Sequence, residues 1–241
     1  MPAVAAISVA AWGVLAAGDL LGYAWLVQHD ALLGGGTLPP LVALVLFLAA
    51  WQLMTAAMML PTALPTVGLF ARASRSQERP RLALAAFVAA YLAVWTAFAL
   101  AALAGDGVVH ALVHAWPWLE ARPHLVTGGV LLVAGAGQLT GLTERCLDAC
   151  RNPLHSLLRW YERGVGAAWR LGLRHGTFCL GCCWPLMLVA FGIGVGSIPL
   201  MLALAAVMLA AKVAPGGRRL VRPAGYAMLA GGTLLIATTL A

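Results

Sequence analysis

Long apolar stretches separated by short clusters of arginine dominate this 241-residue chain. The stretches run to about 20 residues, the length that an α-helix needs to cross the hydrocarbon layer of a membrane. Charged residues make up 10% of the chain, against about 25% in an ordinary soluble domain. Ala and Leu fill the stretches without strict alternation, which argues against a β-barrel. The sequence therefore predicts an all-α, polytopic transmembrane helical bundle that forms one integral membrane domain over residues 1–241.

Seven apolar segments are candidate spans, and the alternative is a six-span arrangement with one re-entrant C-terminal segment. They cover residues 4–26, 41–63, 82–104, 124–143, 175–196, 197–213 and 222–241. The first segment lacks a positive leading region and an obvious small-residue cleavage site. It is therefore interpreted as an uncleaved helix rather than a signal peptide.

The basic residues concentrate in alternate loops. They lie between spans two and three, four and five, and six and seven, whereas Arg122 is the only one of 15 Lys and Arg on the opposite side. The positive-inside rule then predicts a cytoplasmic N-terminus in a bacterial inner (plasma) membrane. Because the net charge of +7 belongs to these loops, the lipid bilayer is the expected partner and nucleic acid is not.

Two connecting segments carry apolar residues at helical spacing. Residues 144–174 form a cytoplasmic loop, in which an Arg- and Trp-containing stretch at 154–161 predicts a helix on the inner leaflet. Residues 105–123 form an external loop with a predicted short helix. The chain has no Walker loop, dinucleotide-binding glycine fingerprint, nucleophile elbow or H-E-x-x-H motif, so those chemistries are not expected.

Three cysteines and a histidine open the fifth apolar segment. His175, Cys179, Cys182 and Cys183 are spaced so that they share one face of a helix. Thiolate and imidazole ligands suit Cu(I), Zn(II) or iron, and the thiolates favour Cu(I). A single membrane cysteine is commonly a small packing residue, but three within five residues indicate a soft-metal site.

Methionines of the second apolar segment are predicted to lie at the depth of these cysteines. Met54 and Met58 are four residues apart, with Met59 adjacent, and the segment runs inward to where the fifth begins. Thioethers and thiolates together bind Cu(I), although buried methionines are also common core fillers. Gln138 of the fourth span falls near the same depth, where it would orient a ligand or bond a neighbouring helix.

A second inner cluster is the C-x-x-x-C motif of Cys146 and Cys150, followed by His155. Three interpretations stay open: a point of metal uptake, a redox pair, or two unrelated thiols. The predicted topology places all five cysteines in the cytoplasmic half. Structural disulfides are disfavoured in that reducing compartment, which favours metal binding or redox chemistry.

The external side carries a second set of potential ligands. Asp106, His110 and His114 repeat every four residues, with Glu120 and His124 nearby. A carboxylate and imidazoles on one helix face suit Zn(II) or Cu(II). The alternative is that these are ordinary surface histidines without a metal.

The first span adds an intramembrane carboxylate. Asp19 lies in its outer half, where a charge is costly and is a functional candidate, although a packing hydrogen bond would also explain it. His29 and Asp30 follow on the external side and could contribute to the histidine set.

Five stretches of the chain stand in an order that is typical of one family. They are M-x-x-x-M-M-x-P-x-x-x-P from Met54 to Pro65, Gln138-Leu139-Thr140, Cys146-x-x-x-Cys150-Arg151-x-Pro153, Gly172 to Trp184, and Lys212 to Gly217. In these the chain resembles a bacterial family of predicted metal-binding integral membrane proteins of unknown function, over most of residues 45–220. The C-L-G-C-C-W core is the specific part of the resemblance, which implies metal binding.

Two positions depart from that family's pattern. The chain has Ala211-Lys212 where Glu-Lys is expected, and Val195 or Gly196 where a Met is expected. A metal site that relies on that Glu or Met is therefore not expected here.

The leading hypothesis is a membrane protein that binds Cu(I) for copper handling, delivery or passage. Its partner would be a metallochaperone or another membrane subunit. Three alternatives stay open: a metal-dependent or thiol-redox membrane enzyme, a metal or proton-coupled transporter, and a non-catalytic membrane subunit.

Overall fold

The computed structural model describes residues 2–23, 38–193 and 197–241, and within these ranges the chain is helical without strands. The all-α prediction is therefore confirmed there. Its helices are α1 (Pro2–Leu20), α2 (Pro40–Met58), α3 (Leu60–Ala73), α4 (Pro80–Ala115), α5 (Pro117–Glu120), α6 (Pro123–Gln138), α7 (Gly141–Arg151), α8 (Pro153–Trp160), α9 (Val165–Ile193), α10 (Ile198–Val213) and α11 (Val221–Leu240). His29, Asp30, Val195 and Gly196 lie outside the described residues, as do the ends of the first and fifth predicted spans.

Among the described residues, four segments are long and apolar enough to cross a membrane: α2, α4, α9 within Val165–Gly192, and Gly217–Leu240, which contains α11. Helices α6 and α7 together would make a fifth span, broken by a bend of 62°. The apolar segments Val4–Leu20 of α1 and Ile198–Val213 of α10 are shorter. Helix length and composition thus account for four or five spans, and the count of seven stays a prediction.

Three helix boundaries differ from the predicted ones, two of them set by prolines and one by a glycine. Helix α4 continues through Gly105 and Gly107 to Ala115, because a helix tolerates glycine at about 1 kcal/mol and ends before Pro117. Helix α2 stops at Met58 because Pro61 cannot donate a hydrogen bond to the continuing helix. Helix α9 begins ten residues earlier than predicted, directly after Gly164, whose φ of 107° suits glycine.

Helix α9 is the centre of the bundle and packs along α4, α6 and α7. Gly172 and Gly176 face α4, where a β-carbon at Gly172 would collide with the backbone carbonyl of Phe87. Helices α6 and α11 approach each other in the same way, since a β-carbon at Gly135 would lie 2.9 Å from the carbonyl oxygen of Gly225. Small residues at these crossings let the helix backbones come into contact, as in membrane helix pairs.

The outward face of α11 is apolar. This helix packs against α6 through one side and leaves Tyr226, Leu234 and Leu240 exposed. A continuous exposed apolar face on a helix of this length needs lipid or a partner to cover it. The packing is therefore compatible with a membrane location.

We expect Gly172→Ala to lower the free energy of unfolding by about 1–3 kcal/mol, because the new methyl group meets a carbonyl that cannot rotate away. The matched control is Gly129→Ala, where a β-carbon meets no atom within 4 Å and helix propensity gains up to about 1 kcal/mol. Thermal unfolding in detergent, followed by circular dichroism, compares the two. Equal stability of the two variants would contradict the proposed helix contact.

Candidate functional site

Four cysteine side chains form a row between α7 and α9, called here the thiol row: Cys150, Cys182, Cys183 and Cys179. The Sγ of Cys150 lies 3.8 Å from that of Cys182, which lies 3.6 Å from the Sγ of Cys183. Cys179 lies one turn before Cys183 on α9, and its carbonyl oxygen accepts from the Cys182 thiol at 3.2 Å. Cys150 is half-buried, whereas Cys182, Cys183 and Cys179 are 4%, 2% and 1% exposed. The row therefore runs from the surface into the core.

A bend between α6 and α7 brings Cys150 to the row. The hydroxyls of Thr140 and Thr143 both donate to the carbonyl oxygen of Gly137, at 2.7 and 2.9 Å. Thr140 also caps α7 by accepting from the backbone N–H of Thr143. These bonds turn α7 back against α9, whose residues at i, i+3 and i+4 supply the other three thiols.

The two cysteines of the C-x-x-x-C motif have different surroundings. Cys150 joins the thiol row, whereas Cys146 packs against Gly181, where a β-carbon would lie 2.5 Å from the Cys146 Sγ. Gly181 thus makes room for a side chain of α7. All five cysteines are free thiols.

Polar groups from three other helices hold the inner end of the row. The Lys212 ammonium donates to the Cys179 Sγ at 2.9 Å and to the Thr62 Oγ1 at 3.1 Å. The Tyr91 hydroxyl lies 3.1 Å from the Cys179 Sγ. Lys212 is only 6% exposed. A buried ammonium is costly unless it is paired and hydrogen-bonded, so the Cys179 sulfur and Lys212 stabilise each other.

The sequence alone does not indicate Tyr91 or Thr62, and it assigns Lys212 to the charges that set topology. A signal for Lys212 is nevertheless present, since it is the only lysine among 15 basic residues. The other fourteen are arginines. Lysine carries a compact ammonium on a flexible stem, which can reach a single buried sulfur.

Arg151 connects α7 to the end of α10. Its guanidinium donates to the carbonyl oxygens of Ala211 and Ala214, the latter at 3.0 Å. These carbonyls belong to the last turn of a helix, which lacks partners within the helix itself. The residue after Cys150 is thereby fixed to the turn that carries Lys212.

His175 lies close to the inner end of the row. Its ring stacks between Phe87 and Tyr91, with centroid separations of 5.8 and 5.7 Å. Its Nε2 is buried and has no hydrogen-bonding partner among the described residues. The contacts that link His175 to the row run through Tyr91, whose hydroxyl bonds Cys179.

The predicted methionine ligands Met54, Met58 and Met59 are fully buried in the same apolar cluster as the cysteines of α9. Thr62 lies one turn beyond Met58 and reaches Cys179 through Lys212. Its hydroxyl donates to the Met59 carbonyl oxygen at 2.8 Å. The start of α3 therefore lies at the depth of the row.

Gln138, the last residue of α6, is also buried. Its Oε1 has no hydrogen-bonding partner within the described ranges. It lies at the α6–α7 bend, two residues before the Thr140 cap.

An open cavity of about 540 Å³ lies between α7, α8 and α9. The exposed His155 lines it, together with Asp148, Arg159, Trp160 and Phe178. None of the cysteines belongs to this lining. His155 therefore lies outside the thiol row.

The remaining predicted ligands are exposed, apart from the half-buried Asp106. At the end of α4, the His110 Nδ1 lies 3.2 Å from the Asp106 Oδ2, and the His114 Nδ1 lies 3.2 Å from the Glu120 Oε1. The rings of His110 and His114 are 6.4 Å apart. His124 is exposed at the start of α6, and Asp19 is exposed in the last turn of α1 rather than buried between helices.

Within residues 2–23, 38–193 and 197–241, no three His, Cys, Asp or Glu side chains are arranged to hold a metal ion as they stand. The sulfur contacts are those of successive pairs, Cys150 with Cys182 and Cys182 with Cys183. Two thiolates that share a metal at about 2.3 Å each lie about 4 Å apart. The separations of 3.8 and 3.6 Å are close to that value.

The family described as PpoB2, copper chaperone, matches residues 48–235 of the chain. That range contains the whole thiol row with Tyr91, Thr62 and Lys212. No curated protein and no solved structure matches the chain.

We expect mild oxidation of the purified protein to form a Cys150–Cys182 disulfide, because their sulfurs need to approach by only about 2 Å. Peptide mass spectrometry detects the link between α7 and α9. Cys150→Ser should abolish the link, and the matched Cys146→Ser should retain it. A link that joins Cys146 instead would contradict the order of the row.

Proposed function

The chain belongs to the PpoB2 copper chaperone family, and we propose that it binds Cu(I) at the thiol row and passes it to a partner. The partner would be a metallochaperone or another membrane subunit. The observation that carries the proposal is the row itself: four free thiols, three of them in successive contact, with the half-buried Cys150 at one end and the deeply buried Cys179 at the other.

The chemistry of the row suits Cu(I) better than zinc or iron. Thiolate and thioether ligands select Cu(I), which accepts fewer ligands than the tetrahedral set that a structural zinc site requires. Each sulfur pair provides two thiolates at about the required separation. The buried Met54, Met58 and Met59 would supply thioethers from α2 and the α2–α3 break.

Charge balance gives Lys212 a role in this proposal. Two thiolates and one Cu(I) ion carry a net negative charge, and a buried uncompensated charge is costly. The Lys212 ammonium, 2.9 Å from the Cys179 sulfur, would compensate it. Because Lys212 would supply the compensating positive charge, copper could bind in the core without a second metal ion or an additional proton from solvent.

We propose that the chain is a multi-pass protein of the cell inner membrane. All of its arginines except Arg122 lie in alternate loops, which by the positive-inside rule would face the cytoplasm. The thiol row would then occupy the cytoplasmic half of the bundle, where the reducing compartment keeps thiols free for copper. Adjacent thiols would also permit delivery, since one ligand can be exchanged for another without release of the metal.

We expect the anaerobically purified protein to bind Cu(I), and Cys182→Ser to weaken binding at least about 100-fold. Cys182 contacts both neighbouring sulfurs, and even the loss of a group that only supports a ligand weakens metal binding by about 10–100-fold. Competition with a chromogenic Cu(I) chelator gives the affinity.

The matched control is Cys146→Ser, which alters a buried thiol of the neighbouring helix outside the row. It should bind Cu(I) as the unmodified chain does. Wild-type affinity in Cys182→Ser, or equal losses in both variants, would overturn the proposed site.

A further inference from the structure

We propose that the open cavity between α7, α8 and α9 binds the headgroup of an anionic phospholipid, with the acyl chains against the exposed leucines of α8. This lipid site is separate from copper handling and rests only on the proposed membrane location. Its basis is the pattern of α8, two guanidinium groups without an acidic partner, and a cavity whose carboxylate is neutralised.

Helix α8 exposes an apolar pair and a basic pair side by side. Leu154 and Leu158 are four residues apart and are 55% and 77% exposed. His155 and Arg159, also four residues apart, are exposed next to them. Leu157 is buried and holds the helix against the bundle. A helix with this pattern lies at a membrane surface, with its apolar side among the acyl chains and its basic side among the headgroups.

Two arginines at the end of this helix are placed to receive an anion. The guanidinium carbons of Arg159 and of Arg174 on α9 lie 4.8 and 3.5 Å from the centre of the Trp160 ring. Both side chains are exposed, and neither pairs with a carboxylate among the residues that the structure describes. By contrast, Arg170 is paired with Glu162 at 2.6 Å. Stacking occupies the flat face of a guanidinium and leaves its N–H groups available to phosphate oxygens.

The cavity has the size and the charge for such a headgroup. Its volume of about 540 Å³ lies within the range of about 300–1,000 Å³ that is typical of small-ligand sites. His155 and Arg159 line it, and Phe178 of α9 adds an apolar wall. The carboxylate of the lining, Asp148, is paired with Arg218 at 3.0 Å, so its charge is balanced.

The charges around the cavity distinguish between lipid headgroups. A zwitterionic headgroup would bring an ammonium group close to the guanidinium groups, and the paired Asp148 leaves no free carboxylate in the lining to receive it. Phosphatidylglycerol carries a single negative charge and no cation. Basic residues at the cytoplasmic face of a membrane attract anionic lipids, and the proposed topology places α8 on that face.

The test is the binding of phosphatidylglycerol to the full-length protein in detergent, measured by native mass spectrometry. We expect it to bind at least about tenfold more tightly than phosphatidylcholine with the same acyl chains. The preference should fall as the ammonium acetate concentration rises, because salt screens exposed charges. Equal affinity for the two lipids, or a preference that does not depend on salt, would overturn the site.

The double variant Arg159→Gln, Arg174→Gln should lower the affinity for phosphatidylglycerol at least about tenfold. The matched control is Arg75→Gln, Arg219→Gln, which removes the same charge from two exposed arginines elsewhere and should bind as the wild type does. Equal losses in the two double variants would show attraction to net charge alone and would overturn the site. Circular dichroism checks that both variants are folded, and the salt dependence of the wild type needs no variant.

A third measurement separates the lipid from a free anion. Inorganic phosphate at millimolar concentration should not displace phosphatidylglycerol, because Leu154 and Leu158 also contact the acyl chains. Displacement would overturn the lipid as the ligand. The Arg159→Gln, Arg174→Gln variant should bind Cu(I) as the wild type does, since both changes lie outside the thiol row. A wild-type protein that prefers phosphatidylglycerol but binds no Cu(I) would refute the proposed function and support the lipid site.

Discussion

The ammonium group of Lys212 joins three helices at the most buried point of the site. It extends from α10 and donates to Thr62 of α3 and Cys179 of α9. A buried cation must be paired, and removal of one partner of a buried pair costs about 3–5 kcal/mol. The positions of α3, α9 and α10 at this depth therefore depend on one another, and the Lys212 ammonium is the donor that links them.

Successive pairs of thiols would, in the proposed function, separate two requirements of a copper chaperone. A closed cage of ligands holds a metal tightly and releases it slowly, because several bonds must break at once. A row of overlapping pairs lets each sulfur leave as another arrives. Cys182 has neighbours on both sides, so it takes part in two pairs. Retention would then come from the depth of the inner thiols, and mobility would come from the spacing between them.

Local patterns in the sequence predicted the features that depend on the residues of a single helix. The apolar stretches gave the helical class, and the spacing of Cys179, Cys182 and Cys183 places them on one face of α9, as expected. The C-x-x-x-C spacing could not show that only Cys150 joins the thiol row while Cys146 packs on Gly181, because the α6–α7 bend decides how α7 meets α9. The span predicted at 82–104 and the short helix predicted in the external loop are one continuous helix, α4, as far as Ala115.

Contacts between distant segments were beyond sequence reasoning. Lys212 and Cys179 are 33 residues apart, and Tyr91 is 88 residues from Cys179. No periodicity links such positions, so a lone basic residue at the end of an apolar helix looks like a topological charge. The copper link was anticipated from the softness of the ligands, and the family match supports it.

Because α7 follows the bend at Gly137, a small rotation at the bend would move the far end of α7. Cys179, Cys182 and Cys183 share one helix and move together, whereas Cys150 stands about 14 Å along α7 from the bend, at 1.5 Å per residue. A rotation of about 5° there would shift its sulfur by about 1 Å, enough to break contact with Cys182. Arg151 bonds the end of α7 to the last turn of α10, which also carries Lys212. The last turn of α10 therefore contacts α7 next to Cys150 and also carries Lys212. A partner that displaced this turn would separate Cys150 from Cys182 and Lys212 from Cys179 at the same time.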